Sequence, residues 1–173
     1  ENINDAKIRE DLAISQIKDA LNDNPDDIAA LIIEPIQGEG GDNHFRCAFF
    51  QKLKDLSKEN EFLLIYDEVQ TGVGITGKMW AHQHFTPKLC QCNPPVQESP
   101  IPDIIAFGKK AQVCGVLAGP RIDEVEQNSF VESSRINSTF GGSLTDMMRF
   151  KIILEIIEEE NLLVNSQQMG KYL

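Results

Sequence analysis

Two side chains of opposite charge stand at the ends of two apolar runs, and they set the chemistry open to this chain. Asp67 closes the run Phe62-Leu-Leu-Ile-Tyr66 and leads into Glu68-Val69-Gln70-Thr71-Gly72. Lys109 follows Pro102-Asp103-Ile-Ile-Ala-Phe107-Gly108. A short continuous apolar run between turn residues reads as a strand buried on both faces, as in a parallel sheet. Ligands of open α/β sheets gather outside the carboxyl ends of the strands, where both groups would fall. A lysine amine forms an imine with a carbonyl cofactor, and a carboxylate holds a pyridinium nitrogen protonated. Pyridoxal phosphate (PLP) chemistry needs that pair. Taken singly, each has a plainer reading: Asp67 as a turn former and Lys109 as a solvated surface residue.

The elements that must position these groups follow from periodicity. Residues 4–22 predict an amphipathic helix, with Ile8, Leu12, Ile17 and Leu21 at helical spacing. Residues 28–33 predict a β-branched strand that stops at Glu34-Pro35, where proline cannot donate to a ladder. A glycine-rich loop, Gly38-Glu39-Gly40-Gly41, comes next; Glu39 argues against its cradling a phosphate. Residues 48–60 predict a helix with Phe49, Leu53 and Leu56 on one face, leading into the Asp67 strand. This alternation implies right-handed crossovers and an α/β fold, a mostly parallel sheet with flanking helices. Further on, residues 80–85 read as a short helix, 113–118 as a strand, and 121–127 as a helical turn. Residues 86–102 hold Pro87, Pro94, Pro95 and Pro100 and read as a surface loop. Residues 134–140 are irregular, 144–160 predict a long helix and 162–173 another. Leu144, Met147, Met148, Ile152 and Ile156 are the expected packing positions of the long helix.

Composition narrows the field. Among 173 residues, 27 acids against 16 bases give a formal charge of −11, which disfavours nucleic acid or an anionic membrane as partner. No apolar run is long enough to predict a membrane span. Cys47, Cys90, Cys92 and Cys114 show no disulfide framework. His82, His84, Cys90 and Cys92 form an H-x-H-x5-C-x-C pattern, but the spacing departs from that of structural zinc sites, so no metal site is expected.

Several segments together resemble the class III, or ω-amino acid, PLP-dependent aminotransferases. They are Glu34-Pro-Ile-Gln-Gly-Glu39-Gly-Gly41, Asp67-Glu-Val-Gln-Thr-Gly72, Thr76-Gly77 and Asp103-x4-Gly108-Lys109. Phe107-Gly-Lys-Lys-Ala-Gln-Val-Cys-Gly115 and Arg135-Ile-Asn-Ser-Thr139-Phe-Gly-Gly142 are most similar to the branch of that family acting on the terminal amine of L-lysine. The resemblance implies a fold-type I transferase, with residues 1–173 forming the central part of its PLP-binding large domain and a loop insertion at 86–101. It implies that Lys109 forms the internal aldimine and then serves as base, and its spacing from Asp103 selects Lys109 over Lys110. Asp67 would pair with the pyridinium nitrogen, Gln70 would hydrogen-bond the ring's phenolic oxygen, and Val69 would lie against the ring. Thr139 would reach the cofactor phosphate of the neighbouring subunit of a homodimer; its plainer reading is the N-cap of the following helix. Glu39 would pair with a pocket arginine outside this chain while lysine reacts, and swing aside for glutamate.

The implied reaction moves the terminal amino group of L-lysine to 2-oxoglutarate, with 4-aminobutyrate or another ω-amino acid as the alternative donor. The expected compartment is the cytoplasm, with the mitochondrion open. Two readings of other classes compete. One is a structural portion without activity of its own. The other is an ATPase, because Leu63–Glu68 resembles a Walker B strand and Gly72-Val-Gly-Ile-Thr-Gly77-Lys78 fits G-x4-G-K; Met79 replaces the hydroxyl residue that would bind Mg²⁺.

Overall fold

The apolar runs satisfy their backbone groups by pairing with one another. The computed structural model describes residues 3–90, 92, 95–137, 139 and 141–173. Pro94, Ser138 and Phe140, which entered the sequence reading, lie outside the described residues. Strands β1 (Ala30–Ile33), β2 (Leu63–Asp67), β3 (Ile104–Phe107) and β4 (Gly115–Ala118) form one four-stranded sheet in that order. β1 and β2 are parallel, with Ala30 opposite Leu63, and β3 runs parallel to β2, with Asp67 opposite Ala106. β4 is antiparallel to β3, with Phe107 opposite Gly115. The link between β3 and β4 holds only a short 3₁₀ turn, Lys109–Ala111. That is too little chain for a crossover, so the polypeptide reverses and the sheet is mostly, not wholly, parallel.

Helices α1 (Ile3–Asp23) and α2 (Cys47–Glu59) cover one face. Phe49, Phe50, Leu53 and Leu56 of α2 meet Leu64 and Tyr66 of β2, with Phe62 and Phe85 completing the cluster. Phe50 stacks on Phe85 at 4.3 Å between centroids and meets Tyr66 edge-on at 5.4 Å. Each fully buried side chain of this size contributes about 1.5–3 kcal/mol. α1 presents Glu10, Ala13, Ile14, Ile17 and Leu21 to this core, while Ile8 and Leu12 are exposed. The face therefore differs from the expected one because Glu10 is drawn inward. Its Oε1 accepts from the Arg46 amide at 2.9 Å and its Oε2 from Arg46 Nε at 2.7 Å, at the start of α2.

The second face of the sheet is open in this chain. Leu63, Ile65, Ile104, Ala106 and Val116 line a depression of about 830 Å³. Burial on both faces of β2, expected from its continuous apolar run, is thus met on one side only.

Helices α3 (Leu144–Glu159) and α4 (Leu162–Tyr172) form a second cluster beyond β3. Phe150, Ile153 and Ile157 pack toward Val73, Trp80 and Phe107. The expected positions Leu144, Met147, Met148, Ile152 and Ile156 are instead exposed. α3 carries apolar residues around most of its circumference, so periodicity alone did not select the buried side.

One carboxylate joins the layers. Asp103 is buried, and its Oδ2 accepts from the Leu64 amide at 2.8 Å and from Arg121 Nη1 at 3.2 Å. Its Oδ1 accepts from Lys54 Nζ of α2 at 2.6 Å. Removing one partner of a buried pair strands the others. Asp103→Ala in the full-length protein is expected to cost about 3–5 kcal/mol in chemical denaturation. A loss within about 0.5 kcal/mol, the range of an ordinary surface change, would contradict this role.

Candidate active site

Three segments leave the sheet at the carboxyl ends of β1, β2 and β3, and they touch. After β1, the Gly38 amide donates to Glu34 Oε2 at 3.0 Å, and the Gly38 carbonyl accepts from the Gly41 and Asp42 amides at 3.0 Å. A Cβ on Gly38 would lie 2.9 Å from Gln70 Nε2, so a side chain there would push the Gln70 amide aside. The glycine-rich loop is therefore a packed turn against Gln70, and Glu39 is exposed on it.

After β2, half-buried Asp67 accepts the Val69 amide on Oδ1 at 3.0 Å, so part of its role is to shape the turn. It also lines a cleft of about 370 Å³ with Ile33, Glu34, Gln37 and Phe45. The Val69 methyls lie 3.8 Å from the point where a Gly108 Cβ would stand, which brings the segment after β2 against the segment after β3.

After β3 the two lysines part. Lys110 is half-buried and its Nζ donates to the Gln70 carbonyl; burial first, and the charge of Lys109 second, hold its pKa below the ordinary value. Lys109 is exposed and adopts a left-handed backbone with φ +48°. That conformation costs a non-glycine residue about 1–2 kcal/mol and is concentrated at functional positions. The neighbouring amine is thus tied to backbone, while Lys109 is exposed just beyond β3, the strand next to the one that Asp67 closes.

Glu68 holds the next loop in place. It is fully buried and accepts from the Ala81 amide at 2.6 Å, the His82 amide at 3.0 Å, and Thr71 Oγ1 at 2.9 Å, with His82 Nδ1 at 2.8 Å. Burial raises its pKa, but the hydrogen bonds from His82, Ala81 and Thr71 outweigh that and hold the carboxyl below its ordinary 4.5. The loop it anchors packs under α4: a Cβ on Gly77 (φ +84°) would stand 3.1 Å from Gln167 Cα. The ATPase reading finds no support, because the G-x4-G-K segment leads into bends and the short 3₁₀ turn Ala81–His84 and not into an α-helix whose N-terminus would bind phosphate.

Thr139 is exposed, and the N-cap of α3 is Ser143, whose Oγ accepts from the Asp146 amide at 3.4 Å. The plainer reading of Thr139 as that cap is therefore incorrect. The histidines and cysteines of the H-x-H-x5-C-x-C pattern also separate. His82 serves Glu68, His84 Nε2 lies 3.0 Å from the Thr76 carbonyl, and Cys90 and Cys92 meet Cys47 instead. Cys47 escaped the sequence reading because no spacing rule links it to a pair so far along the chain.

The Aminotransferase class-III family profile matches residues 1–173, and the chain belongs to that family. An L-lysine-epsilon aminotransferase from Mycobacterium tuberculosis is 52% identical over 161 residues, covering 93% of this chain and 33% of the relative. The structure of lysine aminotransferase from M. tuberculosis in the internal aldimine form superposes with TM-score 0.83 at 51% identity, covering 94% of this chain and 34% of that one. A 4-aminobutyrate aminotransferase from Emericella nidulans is 42% identical over 146 residues, covering 84% of this chain and 26% of the relative. The chain spans about a third of the length of the relatives it matches.

Class III aminotransferases use PLP, and the residues present fit it. An exposed amine, a carboxylate and an amide stand at adjoining strand ends, and Gly38 and Gly108 keep the backbone close to them.

Because its pKa is lowered on folding, Glu68 contributes stability that is present above about pH 4.5 and is lost as pH falls through its folded value. Glu68→Gln is expected to lower stability at pH 7 by about 1–3 kcal/mol. It is also expected to flatten the acid side of the Tm-against-pH curve. An acid side as steep as that of the parent would remove Glu68 from this role.

Proposed function

We propose that the whole protein transfers the terminal amino group of L-lysine to 2-oxoglutarate, giving the 6-semialdehyde and glutamate, and that this chain is the central part of its PLP-binding large domain. The observation that carries the reading is that Asp67 closes β2 while Lys109, exposed and left-handed, follows the end of the neighbouring strand β3. The preference for lysine rests on the higher identity to the lysine enzyme than to the 4-aminobutyrate enzyme.

PLP, when bound, supplies a carbonyl carbon for the amine and a ring that accepts the charge left as a proton departs. Lys109 would hold the cofactor through its amine and, when that amine is free, would carry a proton from the donor carbon. Asp67 holds a proton at the ring nitrogen, since a nearby carboxylate favours the charged form. Gln70, braced between Gly38 and Lys110, orients the ring through its amide. Val69, which neighbours Gly108, would lie against the ring. Glu39 serves the substrate side, neutralising an arginine outside this chain while lysine reacts. Thr139, exposed and released from capping duty, reaches the cofactor phosphate of a second subunit in a homodimer. The cytoplasm is the proposed compartment.

The full-length enzyme assayed with lysine, ornithine and 4-aminobutyrate against 2-oxoglutarate is expected to favour lysine in kcat/KM; a preference for either of the others would overturn the donor assignment. Single-turnover rates separate the residues. Asp67→Ala is expected to slow both half-reactions by about a hundredfold or more, the scale of a lost proton-handling group. Glu39→Ala is expected to slow the lysine half-reaction selectively, because only there is the arginine left unpaired. Equal rates for parent and Asp67→Ala, or equal losses in the two halves for Glu39→Ala, would contradict these roles.

A further inference from the structure

Three of the four cysteines converge at the beginning of α2. Cys47 is the first residue of that helix, and Cys90 and Cys92 come from the proline-rich loop that follows the 3₁₀ turn Ala81–His84. Their sulfurs all lie within 4.8 Å of one another, and each residue is half-buried. A Zn–S bond is about 2.3 Å, so the sulfurs of a trigonal or tetrahedral thiolate site stand about 4 Å apart. Closing from the observed spread to that arrangement takes movements of about 1 Å or less, within reach of χ1 adjustments.

Donors and a cation face two of the three sulfurs. The Cys92 amide donates to Cys90 Sγ at 3.4 Å, and the Ala48 amide, at the α2 N-terminus, reaches the Cys92 sulfur. The Val96 amide reaches Cys90, and the Arg46 guanidinium is close enough to interact with Cys92. Backbone N–H groups, a helix N-terminus and a guanidinium all favour negative charge on sulfur. Burial, with Cys90 next in effect, pushes the Cys47 thiol up to about 12, and burial raises the Cys92 thiol as well.

We propose that Cys47, Cys90 and Cys92 bind one thiophilic d¹⁰ metal ion of the Zn²⁺ type, which fastens the 86–101 loop to the N-terminus of α2. Three protein sulfurs leave a fourth position for water or a small thiol. The need for such a fastening is visible in the loop. Its described residues contain no helix or strand, and it is held by the Tyr66 hydroxyl, which donates to the Pro100 carbonyl at 2.9 Å, by the buried side chains of Val96 and Pro100, and by Glu98, 3.9 Å from Lys58 Nζ. These anchors lie in the loop's second half, whereas the cysteines would fix its first half. The cluster also lies toward the carboxyl ends of the strands: α2 begins on the side of the sheet where β1 ends, and Phe45, two residues before Cys47, lines the Asp67 cleft.

The test uses the full-length holoenzyme, reduced and then dialysed free of reductant under argon. Elemental analysis after Zn²⁺ loading is expected to give one tightly held ion per subunit. X-ray absorption at the zinc edge is expected to count three sulfur neighbours at about 2.3 Å. With Co²⁺ in its place, thiolate-to-cobalt charge-transfer absorption is expected. Cys92→Ser and Cys47→Ser are each expected to weaken Zn²⁺ binding by about a hundredfold, while Cys114→Ser leaves it unchanged. No retained ion, one sulfur neighbour or none, or retention unaffected by Cys92→Ser would overturn the proposal. So would a disulfide within this trio in the native enzyme together with failure of the reduced form to hold the ion. The absorption measurement on the parent protein decides the matter even where a variant folds poorly.

Discussion

A buried carboxylate at the far end of β3 sets where the reactive residues arrive. Asp103 accepts the Leu64 amide of β2, Lys54 of α2, and Arg121 from the 3₁₀ turn Pro120–Glu124, and its own amide and carbonyl pair with Leu64 and Gly119. These bonds allow one alignment of β3 against β2, the one that puts Ala106 opposite Asp67. A slip of one residue would turn every side chain of β3 to the other face and carry Lys109 away from Asp67. The spacing Asp103-x4-Gly108-Lys109 therefore has a mechanical meaning. The first residue clamps the strand, the glycine sits against Cys114 and Val69, and the last emerges at the carboxyl end.

The second constraint acts just beyond β2. Glu68, buried and supplied with hydrogen bonds from Ala81, His82 and Thr71, pins the loop that separates β2 from β3. That loop in turn provides the seat for α4, through the Ser166 hydroxyl on the Ile75 carbonyl at 2.7 Å and the close approach of Gly77 to Gln167. Asp67 and Glu68 are adjacent in sequence but do opposite work. One faces the cleft at the strand end; the other is spent wholly on architecture. The open sheet face and the exposed apolar residues of α3 accord with a chain that spans about a third of its relatives.

Much of this was legible in the residues. Apolar runs ending in Asp67 and Gly108-Lys109 marked the strand ends, and the helical repeats of residues 4–22 and 48–60 fell where α1 and α2 lie. What escaped depended on contacts distant in sequence. The buried face of α1 is decided by Glu10 meeting Arg46, which no periodicity encodes. The reversal into β4 follows from a short connection and not from the apolar content of the strand. The buried side of α3 was not readable because the helix is apolar on more than one side. The bonds that bury Glu68 run to Ala81 and His82, which lie beyond it across an aperiodic loop, and Cys47 had no visible link to Cys90 and Cys92.

The central claim is that strand geometry presents Lys109, and not Lys110, as the reactive amine. Borohydride reduction of the complete holoenzyme, followed by proteolysis and mass spectrometry of the labelled peptide, addresses it directly. The expected result is a pyridoxyl group on Lys109 alone. A pyridoxyl group on Lys110 would contradict the account, because it would require that lysine to leave the Gln70 carbonyl and displace its neighbour from the strand end.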